Sequence, residues 1–210
     1  MLRTLKSFDI KGQTILIRLD LNVPIHDEVI QDDFRIRSCL PTISYCLEEG
    51  AAVVLMSHLG RPKGKDSELS LSHIVKDVED VLGVSVKFTN GVIESQTKEL
   101  VQKSLPKEVL LLENLRFYPE EQKGDENFAK KISELGDSYI NDAFGTAHRA
   151  HASTTIIAKF FPQNKFAGDL LQKEIESIKK VMISGKKPIL GILGGAKVSS
   201  KITIIENIMS

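Results

Sequence analysis

Val53-Val54-Leu55-Met56-Ser57-His58-Leu59-Gly60-Arg61-Pro62 decides the fold. An apolar run of this length with β-branched residues at its start reads as a strand buried on both faces. It stops abruptly at a histidine, a glycine and an arginine. A strand covered on both sides belongs to a parallel sheet flanked by helices, and in such sheets ligands collect outside the carboxyl ends of the strands. His58 and Arg61 therefore stand where a site would be, and Gly60 lets the backbone turn or come close there. The chain has five strand ends of this character, and the rest of it is organised around them.

The pattern extends in both directions. Thr14 to Pro24 begins as a strand and runs out at Asp20, Asn22 and Pro24. Val29-Ile30 reads as a short extended piece after a turn at His26-Asp27. Asp32 or Asp33 caps a helix that reaches Glu49 and stops at Gly50. Pro41 should kink this helix or mark its true start, and Arg35 lies at its amino end, where free N–H groups also meet anions. Downstream of the opening strand, Ser70 or Ser72 starts an amphipathic helix that ends at Gly83. Val84–Phe88 is a strand, Ile93–Ser104 a helix, and Val109–Leu112 a central strand that ends at Glu113-Asn114-Leu115-Arg116. A helix over Asp125–Leu135 precedes Tyr139-Ile140, which lead into the stretch from Asn141 to His151. A long charged helix spans Asp169–Ser184. Beyond a Gly-Lys-Lys-Pro break come a strand at 189–193, Gly194-Gly195-Ala196-Lys197, and a helix over 198–209.

Strands alternating with helices at this spacing specify βαβ units. The expected class is α/β, a doubly wound, mainly parallel sheet of Rossmann-like, three-layer α/β/α build. The last 25 or so residues cannot bury their own apolar faces and read as the first βα unit of a truncated second domain.

Bulk properties narrow the function. Lys and Arg number 28, matching the 28 Asp and Glu, so the formal net charge is zero. That argues against a general nucleic-acid or membrane surface, and any anion site must be a local concentration of charge. No run of about 18 apolar residues predicts a membrane span, and the N-terminus lacks the pattern of a signal peptide. The two cysteines, Cys39 and Cys46, fall on one face of a predicted helix and read as buried free thiols in a reducing cytoplasm.

The strand ends and the adjacent helix start offer Asp20, Asn22, Arg35, His58, Arg61, Arg116, His148 and Arg149. Arginine forks match phosphate and carboxylate bidentately, so this set suits a small, highly charged anion. Each arginine alone is more often an ordinary surface residue; their shared position at strand ends carries the argument. Asp20 has no carboxylate partner in sequence, and its role would be to orient an arginine or a substrate hydroxyl. No third ligand lies at a useful spacing from His148 and His151, so no metal site is expected. Gly60-Arg61-Pro62-Lys63-Gly64-Lys65-Asp66 is one residue short of a P-loop and has Asp where Ser or Thr would hold magnesium. The glycines from Gly191 onward fail the dinucleotide spacing. Lys197 and Lys201, one turn apart at a helix start, could meet nucleotide phosphates or could be exposed lysines of an ordinary βα turn.

Five stretches together resemble the phosphoglycerate kinase family: Arg18–Pro24, Ser57–Pro62, Leu112–Phe117, Phe144–His151 and Leu193–Ser199. The resemblance runs along essentially the whole chain. It implies a two-domain kinase that interconverts 1,3-bisphosphoglycerate plus MgADP with 3-phosphoglycerate plus MgATP. The expected division is a 3-phosphoglycerate-binding domain over 1–168, an interdomain helix over 169–184, and the start of a nucleotide-binding domain over 185–210. Carried over by motif, Asp20 and Asn22 hold the glycerate part. Arg35, His58, Arg61, Arg116 and Arg149 form the basic patch, with Arg35 also catalytic. Lys197 and Lys201 contact nucleotide phosphates, with Lys197 near the transferred group. The family precedent is a cytoplasmic monomer that works by positioning, charge stabilisation and hinge closure.

Two departures follow from the same resemblance. Family members run to about twice this length, so the isolated chain is expected to turn over little or nothing. Ser200 stands where Asp is usual. A catalytically silent anion-binding module has the same site residues, so motif content does not separate it from the kinase. A dehydrogenase-type dinucleotide domain is disfavoured by the failed glycine spacing.

Overall fold

The computed structural model describes residues 3–184 and Ile192. The chain divides into two units, residues 1–172 and 173–210. Of the second unit, the described part is the helical stretch from Lys173 to Ser184 together with Ile192. The expected Gly-rich turn with Lys197 and Lys201, the helix over 198–209, and all of the strand at 189–193 except Ile192 lie outside the described residues.

In chain order the elements are β1 (Thr14–Arg18), β2 (Ile25–His26), β3 (Val29–Ile30), α1 (Phe34–Glu48), β4 (Ala52–Met56), α2 (Val75–Leu82) and β5 (Val86–Phe88). They continue with α3 (Ser95–Gln102), β6 (Val109–Leu111), α4 (Pro119–Lys123), α5 (Glu126–Ser133), β7 (Ser138–Asn141), β8 (Lys165–Ala167) and α6 (Asp169–Ser184). β1 sends Ile15 and Ile17 to one face of the sheet and Leu16 to the other. The same split separates Val53 and Leu55 from Val54 and Met56 in β4, and Val109 and Leu111 from Leu110 in β6. One face packs on Ile36, Cys39, Ile43 and Cys46 of α1 and Val78 of α2; the other packs on Phe128, Ala129 and Ile132 of α5. Both faces of the strands are therefore apolar for the reason inferred from Val53–Met56: each is covered, and three layers result.

The sheet is six-stranded, in the order β5-β6-β4-β1-β7-β8, with every pair parallel. β4 follows β1 on one side, whereas β7 pairs with its other edge after the chain has crossed back. The strand order thus reverses at β1, the switch point where open α/β sheets bind ligands. Register brings Arg18 level with Met56 and with Asn141. Asp20, His58 and the loop carrying Arg149 consequently leave the sheet at one edge.

Several local expectations change. α1 runs from Phe34 through Pro41 to Glu48, so the proline does not mark the helix start; it withholds the N–H that would have bonded the Arg37 carbonyl. The tight turn falls on Asp27 and Glu28, with φ of 48° and 61°, and His26 belongs to β2. Asp33 occupies the N-cap of α1 without a side-chain cap bond, while Asp32 Oδ1 accepts from the Phe34 N–H at 2.8 Å. Edge strand β8, short helix α4 and a π-helical turn over Ala152–Ile156 were not read from the sequence.

Candidate functional site

Asp20 leaves β1 two residues past its end, and its carboxylate is ion-paired with Arg35, the second residue of α1. The pair uses Oδ2. Asp20 Oδ1 is shielded from solvent and has no hydrogen-bond partner. His58 Nε2 lies 3.9 Å from it. A buried carboxylate oxygen without a donor is costly.

His58, two residues beyond β4, is only 3% exposed. Its imidazole is pushed down to about 2, first by burial and then by the positive charges of Arg18, Arg116, Arg35 and Arg149. The ring is therefore neutral at physiological pH, and those four charges converge on it from β1, from the segment after β6, from the start of α1 and from the loop after β7. Arg116 is itself held below its ordinary value by burial, then by Arg149 and Arg18. Its Nη1–H donates to the Gly60 carbonyl at 2.7 Å. Like charges gathered in a low-dielectric pocket repel one another; an incoming anion removes that cost.

Gly60 joins the two sides of the site. Its φ of +62° suits a residue without Cβ, and a Cβ there would meet Leu69 Cδ2 at 2.7 Å. Its N–H donates to Asn22 Oδ1 at 2.7 Å, which fixes that amide and leaves the Asn22 Nδ2 donors for a ligand. Asn114 ties the loops after β4 and β6 together: Nδ2 donates to the carbonyls of Leu59 and Leu69, both at 2.8 Å, and Oδ1 accepts from Arg116 N–H. The site thus presents donors almost throughout, with Asp20 Oδ1 as its buried free acceptor.

Asp20, Asn22, Arg35, His58, Arg116 and Arg149 are brought together at this edge. Arg149 and His148 are exposed, as is Arg61, which makes no side-chain hydrogen bond or ion pair among the described residues. Lys197 and Lys201 lie outside the described residues. Among the described residues, no group of three or more His, Cys, Asp or Glu is arranged to hold a metal ion.

Three supports beneath the site escaped sequence reading. Arg18 looked like a strand residue but is 1% exposed and reaches His58 Nδ1 at 3.2 Å. Glu121 is buried in α4 and accepts both from Ser153 N–H (2.9 Å) and from Ser153 Oγ–H (2.6 Å). Asp142, at the end of β7, accepts from Thr42 Oγ1–H of α1 at 2.6 Å and from Leu171 N–H of α6 at 3.0 Å. A charged residue inside an apolar strand or between turn residues was the available signal.

Comparisons with known proteins identify the family. The family model for phosphoglycerate kinase matches residues 5–210. A phosphoglycerate kinase of Dictyoglomus turgidum is 48% identical over 206 residues, covering 98% of this chain and 52% of that relative. Phosphoglycerate kinase 3, cytosolic, of Arabidopsis thaliana is 49% identical over 208 residues, again with 52% of the relative covered. The crystal structure of phosphoglycerate kinase from Pyrococcus horikoshii OT3 superposes with a TM-score of 0.89 at 33% identity, over 98% of this chain and 52% of that one. The chain spans about half the length of the relatives it matches. A Rossmann-like parallel sheet, a basic cluster at its switch point and a match from residue 5 to residue 210 lead to one conclusion: the chain belongs to the phosphoglycerate kinase family.

Proposed function

We propose that this chain carries the 3-phosphoglycerate-binding half of a phosphoglycerate kinase, a phosphotransferase that moves a phosphoryl group between 1,3-bisphosphoglycerate and ADP. In the ATP-forming direction the bond from phosphorus to the acyl oxygen breaks, leaving the carboxylate of 3-phosphoglycerate. A new bond forms to a terminal phosphate oxygen of ADP, and magnesium enters with the nucleotide. The reaction needs no protein nucleophile, because positioning and neutralisation of charge supply the catalysis.

The observation that carries this reading is the unpartnered Asp20 Oδ1 facing the neutral His58 inside a ring of arginines. Asp20 and Asn22 would take the glycerate hydroxyl and its neighbouring oxygens. Arg35, His58, Arg61, Arg116 and Arg149 would hold phosphate and carboxylate, with Arg35 nearest the reacting end. Lys197 and Lys201 would meet the nucleotide, with Lys197 at the transferred group. Residues 1–168 form the substrate domain in this reading, 169–184 the interdomain helix and 185–210 the start of the nucleotide domain, with hinge closure expelling water. The protein would act in the cytoplasm as a monomer, with small molecules rather than nucleic acid or membrane as its partners. Balanced charge supports that assignment, and no described helix is long and apolar enough to cross a membrane.

Calorimetric titration with 3-phosphoglycerate tests the proposal. The wild type should bind saturably and more weakly as salt rises, and Asp20→Asn should weaken binding by about tenfold or more, the worth of a lost charge-assisted hydrogen bond. Equal affinity in both proteins would remove Asp20 from the site.

A further inference from the structure

Arg18 is 1% exposed, and each nitrogen of its fork meets a protein group. Nε–H donates to Ser153 Oγ at 2.8 Å, Nη1 donates to the Leu19 carbonyl, and Nη2 meets His58 Nδ1 at 3.2 Å. A guanidinium has donors only, so the ring nitrogen it meets must supply the lone pair. The His58 proton then sits on Nε2, the nitrogen that faces Asp20 Oδ1. Arg18 is set in the same way from below. The Ser153 hydroxyl proton and backbone N–H both point to Glu121, which leaves an Oγ lone pair for Arg18 Nε–H. The wide turn over Ala152–Ile156 holds Ser153 there, and the Tyr139 hydroxyl secures the turn by donating to the carbonyls of Ser153 and Thr154 at 2.8 and 3.1 Å.

We propose that Arg18, oriented by Ser153 and Glu121, is a positioning residue that locks His58 in the neutral Nε2–H tautomer and so makes it a fixed hydrogen-bond donor toward a ligand oxygen. Polarity runs in one direction, from buried carboxylate through serine and guanidinium to imidazole. Second-shell partners commonly fix a histidine tautomer through a carbonyl or carboxylate that accepts from Nδ1–H; here a cation donates to Nδ1 and gives the opposite setting. Without the lock, the single ring proton can exchange between Nδ1 and Nε2, and Nε2 is no longer a fixed donor; burial and the three other arginines still oppose a second proton. The charged groups around the ring are Arg18 of β1, Asp20 after it, Arg35 of α1, Arg116 after β6 and Arg149 after β7. Of these cations, Arg18 is the one hydrogen-bonded to the ring.

Ring 15N spectroscopy of the ligand-free protein across pH 5 to 8 tests the assignment without reference to substrate. The wild type should show an unprotonated, hydrogen-bonded Nδ1 and a protonated Nε2, with neither moving across the range. In Arg18→Met both ring nitrogens should move toward values averaged over the two neutral tautomers, while burial and the remaining arginines still keep the ring uncharged. Ser153→Ala keeps Arg18 and removes its Nε partner, and it serves if Arg18→Met does not fold; its Nδ1 resonance should move toward that of free imidazole. A protonated Nδ1 in the wild type, or an Nδ1 resonance untouched by either substitution, overturns the proposal. The consequence for binding rests on the function proposed above: Arg18→Met should raise the Kd for 3-phosphoglycerate severalfold. An unchanged Kd with a changed 15N pattern would leave the lock intact and overturn its part in recognition.

Discussion

At the scale of single residues, the candidate site leaves its cations under-neutralised. Arg35 is tied to one oxygen of Asp20, Arg116 to the Gly60 carbonyl, and Arg149 is exposed at the rim. Arg35→Ala and Arg149→Ala should each weaken 3-phosphoglycerate binding by about 1.5–3 kcal/mol, the range for hydrogen bonds to charged groups. The two losses differ in origin. Arg35→Ala also leaves Asp20 without its counter-charge, whereas Arg149→Ala relieves repulsion on Arg116. Titration calorimetry decides, and unchanged dissociation constants in both variants would mean that the anion binds elsewhere.

At the scale of elements, loops are fixed by backbone contacts as much as by hydrogen bonds. Gly124 ends α4 with φ of +68°, and a Cβ there would lie 2.4 Å from the Ala150 carbonyl oxygen. Gly124→Ala should cost about 1–3 kcal/mol in urea denaturation, from crowding that the Ala150 backbone cannot relieve cheaply. The same scale separates what was legible in the sequence from what was not. Val53–Met56 is legible because burial on both faces leaves an unbroken apolar run, and α6 starts at the predicted Asp169. The edge strand β8 is three residues long with an exposed lysine, too short for any period to register. Asp20, Asn22, Arg35 and His58 were legible as site candidates because polar residues interrupt apolar runs at strand ends and at a helix start. Arg18, Glu121 and Ser153 were not, because their significance lies in contacts across as many as 135 residues of chain.

At the scale of the whole molecule, buried ionisable groups set how stability depends on pH. His58 is held near 2 in the fold, with His151 also held below its ordinary value by burial and by Arg116, Arg149 and Arg18. The unfolded chain takes up these protons near pH 6.5 while the folded chain does not, so this contribution to stability is present above that pH and lost as pH falls. Asp142 and Glu121 act in the opposite sense: burial raises both, so folding favours their protonated forms. A difference measurement isolates His58. The stability of wild type relative to His58→Gln should decline below pH 6.5 with a slope of up to about 1.4 kcal/mol per pH unit, the limit for one proton. Urea midpoints from pH 7.5 to 4.5 provide the check, and a difference independent of pH would show that His58 is not kept neutral by the fold.

The two thiols offer a clock for breathing motions of the sheet's helical cover. Cys39 and Cys46 are buried, and Cys39 Sγ–H donates to the carbonyl of Arg35 one turn earlier in α1. Burial pushes the Cys39 thiol up, and Cys46 is pushed up to about 12, so neither is a nucleophile while the helix is seated. Alkylation by a soluble reagent must wait for α1 to lift, and its rate at low reagent excess then reports the population of that open form. Because Arg35 rides on the same turn, saturating 3-phosphoglycerate should slow the labelling of Cys39. An unchanged rate would mean that the helix opens without releasing the ligand.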